Sequence, residues 1–389
     1  MIENQKKSST PILVSLIPNL MDGEGHIIPY HQAVGKAVSK LGWRHLAAIP
    51  SQSKVDYLFT EWDDCLSNFD LERGDNFFRK IFKLIGVFSL GTTTAKYLRN
   101  SVIYQTESSI IFLERFIHLQ LLALTIALWL VPTKNLSVWL LYRRNTHKDK
   151  TRYIYKFLNF LIKKSLPTGN LKLLTDSDLL GKSLSNYFQE PVTVMPIPHT
   201  DIKVDNCKIK SKSSEILCWW PGLPRKEKGW NIIKKLVDIN LNNNDKICLV
   251  AAQKSNLVVS KGGIRLKLIQ NKLTREEYNY WLSVSDIILL PYDCQAYEER
   301  TSGIFTESII AGKIPLVTDR TWMAHELLKY DLGELIINWE ISEQVFISIF
   351  RIIKYGNIKN KIKVMQNSYL NYHCLNGYAE AMQKIINQK

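Results

Sequence analysis

The sequence is short of acidic side chains and of paired cysteines. Its 389 residues hold 36 Asp and Glu against 51 Lys and Arg, a formal net charge of +15. The six cysteines are scattered without a CxxC pair, which argues against a zinc site or a disulfide framework and favours a reducing compartment. The positive charge favours polyanions, phosphorylated small molecules or an anionic membrane face as partners. The length favours two domains over one.

Long apolar runs are also lacking. The uncharged stretch 116–131 comes nearest to one. Its centre, 119–131, would cover about 20 Å as a helix, against about 30 Å for a hydrocarbon core. We therefore favour a buried helix and keep membrane insertion as the alternative. The N-terminal segment has no signal-peptide pattern, so we expect a cytoplasmic protein, with peripheral attachment to the inner face of the membrane as an addition.

Strand and helix patterns alternate along most of the chain, which is typical of α/β domains with parallel sheets. The lysine- and serine-rich stretch 201–215 separates two such alternations and is predicted to be a linker. We expect two Rossmann-like domains facing a cleft, residues 1–200 and 216–365. The C-terminal helix, residues 366–389, is expected to cross back to the first domain. No nucleic-acid-binding module is recognisable, so nucleic acid is not an expected partner.

A glycine loop follows the first predicted strand. Gly23, Gly25 and His26 precede a helix pattern, where free backbone amides favour an anion such as a phosphate. The spacing is not GxGxxG, so a plain turn is the alternative. Among the nearby histidines we favour His26 as a functional group, because it alone lies on this loop. His31 and His45 are expected to be ordinary, partly buried histidines.

Two segments of the first domain are basic and amphipathic. The helix pattern 151–164 is predicted to carry these residues on one side: Ile154, Leu158, Leu161 and Ile162. Residues 77–84 form a second such stretch. Packing on the sheet is the favoured interpretation for each one alone. Together with the positive net charge, they make an anionic membrane surface a candidate partner.

A basic turn follows the first strand of the second domain. Arg225 and Lys228 precede Gly229 there. A guanidinium can bind two phosphate oxygens at once and an ammonium supplies a compact charge, so the pair suits a diphosphate. A solvated basic turn is the alternative.

Residues 299–307 carry two glutamates with seven residues between them. Ser302 is predicted to cap a helix whose first amides, beside Gly303, face a phosphate. Glu307, one turn into this helix, can accept hydrogen bonds from ribose hydroxyls. Glu299, in the loop, is a candidate for contact with a sugar. An ordinary surface helix with solvated glutamates is the alternative.

These motifs, followed by an Ala-Gly-x-x-Pro pattern, resemble the glycosyltransferases of family 4. The resemblance covers residues 216–334 well and the first domain loosely. It implies the GT-B fold and a retaining, metal-independent enzyme without a cofactor. Such an enzyme moves a hexosyl unit from a nucleotide-diphosphate sugar to a hydroxyl of a glycan or lipid-linked acceptor. A GT-B sugar-nucleotide epimerase and a non-catalytic nucleotide-sugar-binding or membrane-associated assembly protein are the alternatives.

The resemblance also implies roles for single residues. Arg225 and Lys228 would hold the diphosphate, with Glu307 on the ribose and Glu299 on the donor sugar. Where the family has Gly-Phe-Gly after its first glutamate, this chain has Arg300-Thr-Ser-Gly, which adds Arg300 as a candidate for the diphosphate. His26 is a candidate helper in transfer of the acceptor proton.

No metal site is predicted. Asp176 and Asp178 have the spacing of a metal-binding DxD motif, but they stand at the head of a helix pattern. Asp178 is therefore predicted to cap that helix.

Overall fold

The computed structural model describes residues 10–20, 27–51, 61–72, 77–103, 108–198, 200, 215–239, 247–259, 264–354 and 357–387. The predicted loop residues Gly23, Gly25 and His26, and the linker up to residue 214, lie outside these ranges. The strands within them are β1 (Ile12–Leu16), β2 (Arg44–Pro50), β3 (Trp62–Leu66), β4 (Ser109–Glu114), β5 (Leu136–Tyr142), β6 (Leu171–Thr175), β7 (Val192–Val194), β8 (Ile216–Trp219), β9 (Ile247–Ala252), β10 (Ile264–Ile269), β11 (Ile287–Leu290), β12 (Ile314–Thr318) and β13 (Ile336–Ile337).

Most helices alternate with these strands, as the sequence pattern predicts. The helices are α1 (Ile27–Lys40), α2 (Phe77–Leu98), α3 (His118–Trp129), α4 (Arg152–Ser165), α5 (Asp178–Phe188), α6 (Trp230–Val237), α7 (Arg275–Val284), α8 (Cys294–Tyr297), α9 (Gly303–Ile310), α10 (Trp322–Leu328), α11 (Ser342–Lys354), α12 (Asn357–Tyr372) and α13 (Leu375–Asn387). A π-helical turn, Arg99–Ile103, follows α2.

The chain divides into two compact units, one of residues 1–199 and 375–389 and the other of residues 200–374. The predicted C-terminal helix starts at residue 366, but that position falls within α12, which packs on α9 of the second unit. Of the last two helices, α13 alone belongs to the first unit, where it packs on α1.

The first unit is built on a parallel sheet in the order β3-β2-β1-β4-β5-β6-β7. Every residue of β4 is buried, as expected for a strand covered by helices on both faces. On one face, apolar residues of α1 and α13 form a core with alternate residues of the central strands. On the other face, α2, α3, α4 and α5 contribute to the larger core.

The second unit is built on a parallel sheet in the order β10-β9-β8-β11-β12-β13. Both sheets therefore confirm the α/β, Rossmann-like fold class.

The apolar stretch near residue 120 forms α3, whose buried residues pack in the larger core. Gln120 is among them, and its side chain accepts a hydrogen bond from the amide of Ile117 at 2.8 Å. Within the described residues, no helix has the length and apolarity needed to cross a membrane.

The predicted side of α4 is confirmed for three of its four residues, because Leu158 and Ile162 are buried and Leu161 packs against the larger core. The buried residues of α4 are Tyr155, Leu158, Asn159 and Ile162. The predicted inward residue Ile154 is 42% exposed. Asn159 lies inside, where its Oδ1 accepts a 2.8 Å hydrogen bond from the Tyr142 hydroxyl.

The predicted cap of α5 is also corrected. Ser177, in extended conformation, is the N-cap, and its hydroxyl accepts a hydrogen bond from the amide of Leu180 at 3.2 Å. Asp178 is the first residue of the helix, where a negative charge still interacts favourably with the helix dipole. Asp176 is buried and forms an ion pair with Arg143.

Arg143 links the ends of three strands in the first unit. It follows β5, and its guanidinium lies 2.9 Å from a carboxylate oxygen of Glu114, the last residue of β4, and 2.9 Å from one of Asp176, just after β6. The guanidinium also lies 4.5 Å from the ring centroid of Tyr30 in α1, and the Tyr30 hydroxyl is 3.0 Å from that of Tyr378 in α13. The network therefore connects the carboxyl ends of β4, β5 and β6 to α1 and α13, the two helices on one face of the sheet.

We expect Arg143→Met to lower the free energy of unfolding by about 3–5 kcal/mol, because it removes the guanidinium from two buried carboxylates. Urea denaturation followed by circular dichroism measures the change. The control is Arg44→Met, since Arg44 is half exposed and lies 3.6 Å from Glu61. We expect Arg44→Met to lower the free energy of unfolding by less than about 1 kcal/mol. Equal losses in the two variants would show that the network does not stabilise the sheet edge.

Candidate functional site

The predicted site residues of the second unit follow two neighbouring strands, β8 and β11. The chain continues from β8 to β9 on one side of the sheet and from β11 to β12 on the other. The loops after these strands therefore diverge and leave a crevice at the carboxyl edge, the usual ligand position in open α/β sheets. Arg225 and Lys228 lie after β8, and residues 299–303 lie after β11.

Gly229 brings these two loops into contact. Its φ is +77°, and a Cβ atom built there would lie 2.1 Å from the carbonyl oxygen of Pro291. The amide of Asp293 donates a 2.9 Å hydrogen bond to the carbonyl of Glu227, which adds a second link. A residue with a side chain at position 229 would force the loops apart.

Lys228 is the central cation of the crevice. Its ammonium lies 5.7 Å from the ring centroid of Tyr292, and a Cβ on Gly222 would meet it at 3.1 Å. Burial, followed by the charges of Arg225 and Arg300, lowers the pKa of Lys228 to about 8. Three cations therefore act on the same small volume, which favours an anion there.

Two tyrosines form the wall below these cations. The rings of Tyr292 and Tyr297 are 4.5 Å apart between centroids, and both residues are buried. The guanidinium of Arg300 lies 5.1 Å from the ring centroid of Tyr297, within cation–π range. Arg300 is thus held next to the wall that Lys228 faces.

The first turn of α9 lies beside the same cations. Ser302 caps this helix, as its position predicts, by accepting a 3.2 Å hydrogen bond from the amide of Phe305. Ile304 Cδ1 lies 3.9 Å from the Cβ position of Gly222, which is next to the Lys228 ammonium. First-turn amides have no acceptor within their own helix, so they add to the attraction for an anion near Gly303.

Glu307 is buried and held by two residues of α7. Its Oε1 accepts a 2.9 Å bond from Arg275 Nη1, and its Oε2 accepts a 2.6 Å bond from the Tyr278 hydroxyl. Burial and the Glu307 charge raise the pKa of Tyr278 well above its ordinary value. A carboxylate has about four lone-pair positions, so Glu307 can still accept from two further hydroxyls.

Sequence reasoning missed Arg275 and Tyr278. Thr274 and Glu277 form a capping box, a local pattern from which the start of α7 can be predicted. That pattern gives no sign that α7 reaches Glu307, about 30 residues later in the chain.

The remaining predicted residues are Glu299 in the second unit and two histidines in the first unit. Glu299 is buried in the loop between α8 and α9. In the first unit, His31 is buried 3.7 Å from Glu114. His45 is within hydrogen-bonding distance of Ser15 at 2.9 Å, and burial together with His31 lowers its pKa to about 3. His31 and His45 are thus core histidines.

Comparison with solved structures finds the same architecture. A glycosyltransferase from Rickettsia africae aligns with 98% of this chain and 100% of its own, at 13% identity and a TM-score of 0.66. The chain has the fold of the GT-B glycosyltransferases. Sucrose-phosphate synthase from Thermosynechococcus elongatus aligns over 97% of this chain and 98% of its own, at 12% identity and a TM-score of 0.68.

An E. coli protein bound with UDP-2-fluoro glucose aligns over 97% of this chain and 99% of its own, at 11% identity and a TM-score of 0.64. At these identities the similarity shows the fold. Comparisons with protein-family models and with curated protein sequences give no match.

The Gly229 contact can be tested by Gly229→Ala. The control is Gly42→Ala, since Gly42 has a similar φ of +70° but open space around its Cβ position. We expect Gly42→Ala to cost about 1–2 kcal/mol from backbone strain. Gly229→Ala should lower the free energy of unfolding by about 1–3 kcal/mol more than Gly42→Ala does, because the methyl group collides with Pro291. Urea denaturation measures both, and equal losses would contradict the close contact.

Proposed function

We propose that the protein is a retaining, metal-independent glycosyltransferase. It moves a hexosyl unit from a nucleotide-diphosphate sugar to a hydroxyl of a glycan or lipid-linked acceptor. The observation that carries the proposal is Lys228, whose pKa is lowered to about 8 by burial and by Arg225 and Arg300, at the strand crossover of a Rossmann-like unit. The fold and the donor analogue bound to the E. coli neighbour support it.

The cations fit the chemistry of the leaving group. Cleavage of the anomeric bond moves an electron pair to the diphosphate, so negative charge grows there while positive charge grows on the sugar ring. That negative charge would be stabilised by Lys228, Arg225 and Arg300 and by the first turn of α9. Because the stabilisation increases along the reaction, it accelerates the chemical step as well as tightening binding.

The two carboxylates contact different parts of the donor. Glu307, oriented by Arg275 and Tyr278, accepts hydrogen bonds from the ribose hydroxyls. Glu299 contacts the donor sugar. The acceptor hydroxyl attacks the face that the diphosphate leaves, and the departing phosphate takes its proton, assisted by His26. The configuration at the anomeric carbon is thereby retained.

A screen of UDP-, GDP- and ADP-sugars, by thermal shift and product analysis with and without EDTA, tests the activity. We expect one donor to raise the melting temperature and to be slowly hydrolysed, with no effect of EDTA. No shift with any donor would contradict the proposal. Stabilisation without any hydrolysis or transfer would indicate a non-catalytic binder, and loss of turnover in EDTA would contradict metal independence.

Lys228→Met should abolish the donor-induced shift and lower kcat by about 10²–10³-fold, the range for loss of a group that stabilises developing negative charge. The matched control is Lys226→Met, because Lys226 is exposed in the same short turn. It should bind and turn over donor as the unchanged protein does. Full activity of Lys228→Met would exclude this lysine from the site.

Donor binding should weaken at alkaline pH. The pKa of Lys228 is about 8 in the free protein, and a bound diphosphate raises it. Below pH 8 the lysine is charged in both states and does not contribute to pH dependence. Above pH 8 binding requires proton uptake, so affinity falls by up to about tenfold per pH unit. The decline ends above the raised pKa of the complex.

Isothermal titration with the nucleoside diphosphate of the identified donor, from about pH 7 to about pH 10, measures this decline. Lys228→Arg should remove it, because a guanidinium stays charged throughout. A decline of the same slope in Lys228→Arg would show that another group is responsible.

A further inference from the structure

The outer surface of three helices in the first unit is unusually apolar. Exposed apolar side chains of α2 are Ile81, Phe82, Leu84, Ile85 and Phe88, and those of α4 are Tyr153, Ile154, Phe157 and Phe160. Trp129 and Leu130 are exposed at the end of α3. Of the 21 large apolar side chains exposed in the described ranges, eleven lie in this group. Soluble proteins rarely expose such a patch unless it binds something.

The three helices form one continuous surface. Helix α2 packs on α3, and α3 packs on α4. A Cβ on Gly91 of α2 would lie 3.0 Å from the carbonyl oxygen of Ala123, so these two helices touch through their backbones. The ring of His118 at the start of α3 is 6.0 Å from that of Tyr155 in α4.

The outer row of α3 completes this surface. Apart from His118, its least buried residues are apolar and recur at helical spacing: Leu119, Leu122, Ile126 and Trp129. We call the row and the exposed residues of α2 and α4 on either side of it the α2–α4 surface. Leu119, Leu122 and Ile126 are partly buried and also pack against the larger core, whereas the residues of α2 and α4 on either side of the row are exposed.

The charge of these helices has one sign. The segments Phe77–Leu98, His118–Trp129 and Arg152–Ser165 contain eight Lys and Arg residues and no Asp or Glu. The guanidinium of Arg152 lies 4.8 Å from the ring centroid of Tyr153, and the Lys164 ammonium lies 5.7 Å from that of Phe160. Cations next to exposed aromatic rings are typical of helices at a lipid interface, where the rings enter the bilayer and the charges meet headgroups.

We propose that the α2–α4 surface docks onto an anionic lipid bilayer. Apolar area and positive charge act together there, as interfacial binding requires. A second copy of the chain is a poorer occupant, because the same cationic helices would face one another across the contact. The proposal does not depend on the proposed transfer reaction, since none of its residues belongs to the candidate site.

Vesicle co-sedimentation of the full chain tests the proposal. We expect binding to vesicles of phosphatidylcholine mixed with phosphatidylglycerol, and much weaker binding to phosphatidylcholine alone or at high salt. The double variant Phe82→Ser/Phe157→Ser should bind the anionic vesicles at least about tenfold more weakly, because two large apolar side chains no longer enter the lipid. Both side chains are more than half exposed, so the fold should persist.

The matched control is Ile347→Ser/Val364→Ser, which removes two apolar side chains of the second unit that are 65% and 63% exposed. It should bind vesicles like the unchanged protein. The proposal is overturned if the unchanged protein does not bind anionic vesicles, or if both double variants bind equally well. It is also overturned if sedimentation shows a dimer that Phe82→Ser/Phe157→Ser dissociates, since a second copy would then cover the surface.

Discussion

The close contact between Gly229 and Pro291 determines the geometry of the candidate site. These residues follow β8 and β11, neighbouring strands whose chains then turn to opposite sides of the sheet. The contact holds the two diverging loops together at their origin. Lys228 immediately precedes Gly229, and Tyr292 immediately follows Pro291. The ammonium is therefore placed over the tyrosine ring by backbone geometry rather than by side-chain attraction alone.

This placement gives Lys228 an electrostatic environment opposite to that of Arg143. Arg143 is buried between Glu114 and Asp176, so its charge is neutralised locally and joins strand ends. Lys228 loses water and gains Arg225 and Arg300 as neighbours, which disfavours its charged form. The fold holds these like charges close together, and they repel one another. A bound anion relieves this repulsion, which favours its binding. The first arrangement favours the folded state, whereas the second favours an anion beside Lys228.

Local patterns predicted much of this molecule and failed where contacts are distant. Alternating strand and helix signals were enough for two parallel sheets, and Ser302 caps α9 as its position indicates. The prediction that Asp178 caps α5 was wrong by one residue. The backbone at Ser177 is extended, so Ser177 is the cap and Asp178 is the first residue of the helix. The bonds from Arg275 and Tyr278 to Glu307 join separate helices, so no local pattern could reveal them.

Helix α4 shows a second limit of sequence patterns, with a consequence for the surface. Apolar residues occur on both of its sides, so periodicity finds the helix but does not decide which side is buried. The buried side combines Leu158 and Ile162 with Asn159, which accepts a hydrogen bond from the Tyr142 hydroxyl. Phe157 and Phe160 lie outside, and the Lys164 ammonium lies near the ring of Phe160. This exposed aromatic face lies beside α3, which in turn packs on α2. Cationic side chains thus occur both around the crevice of the second unit and on the apolar helices of the first unit.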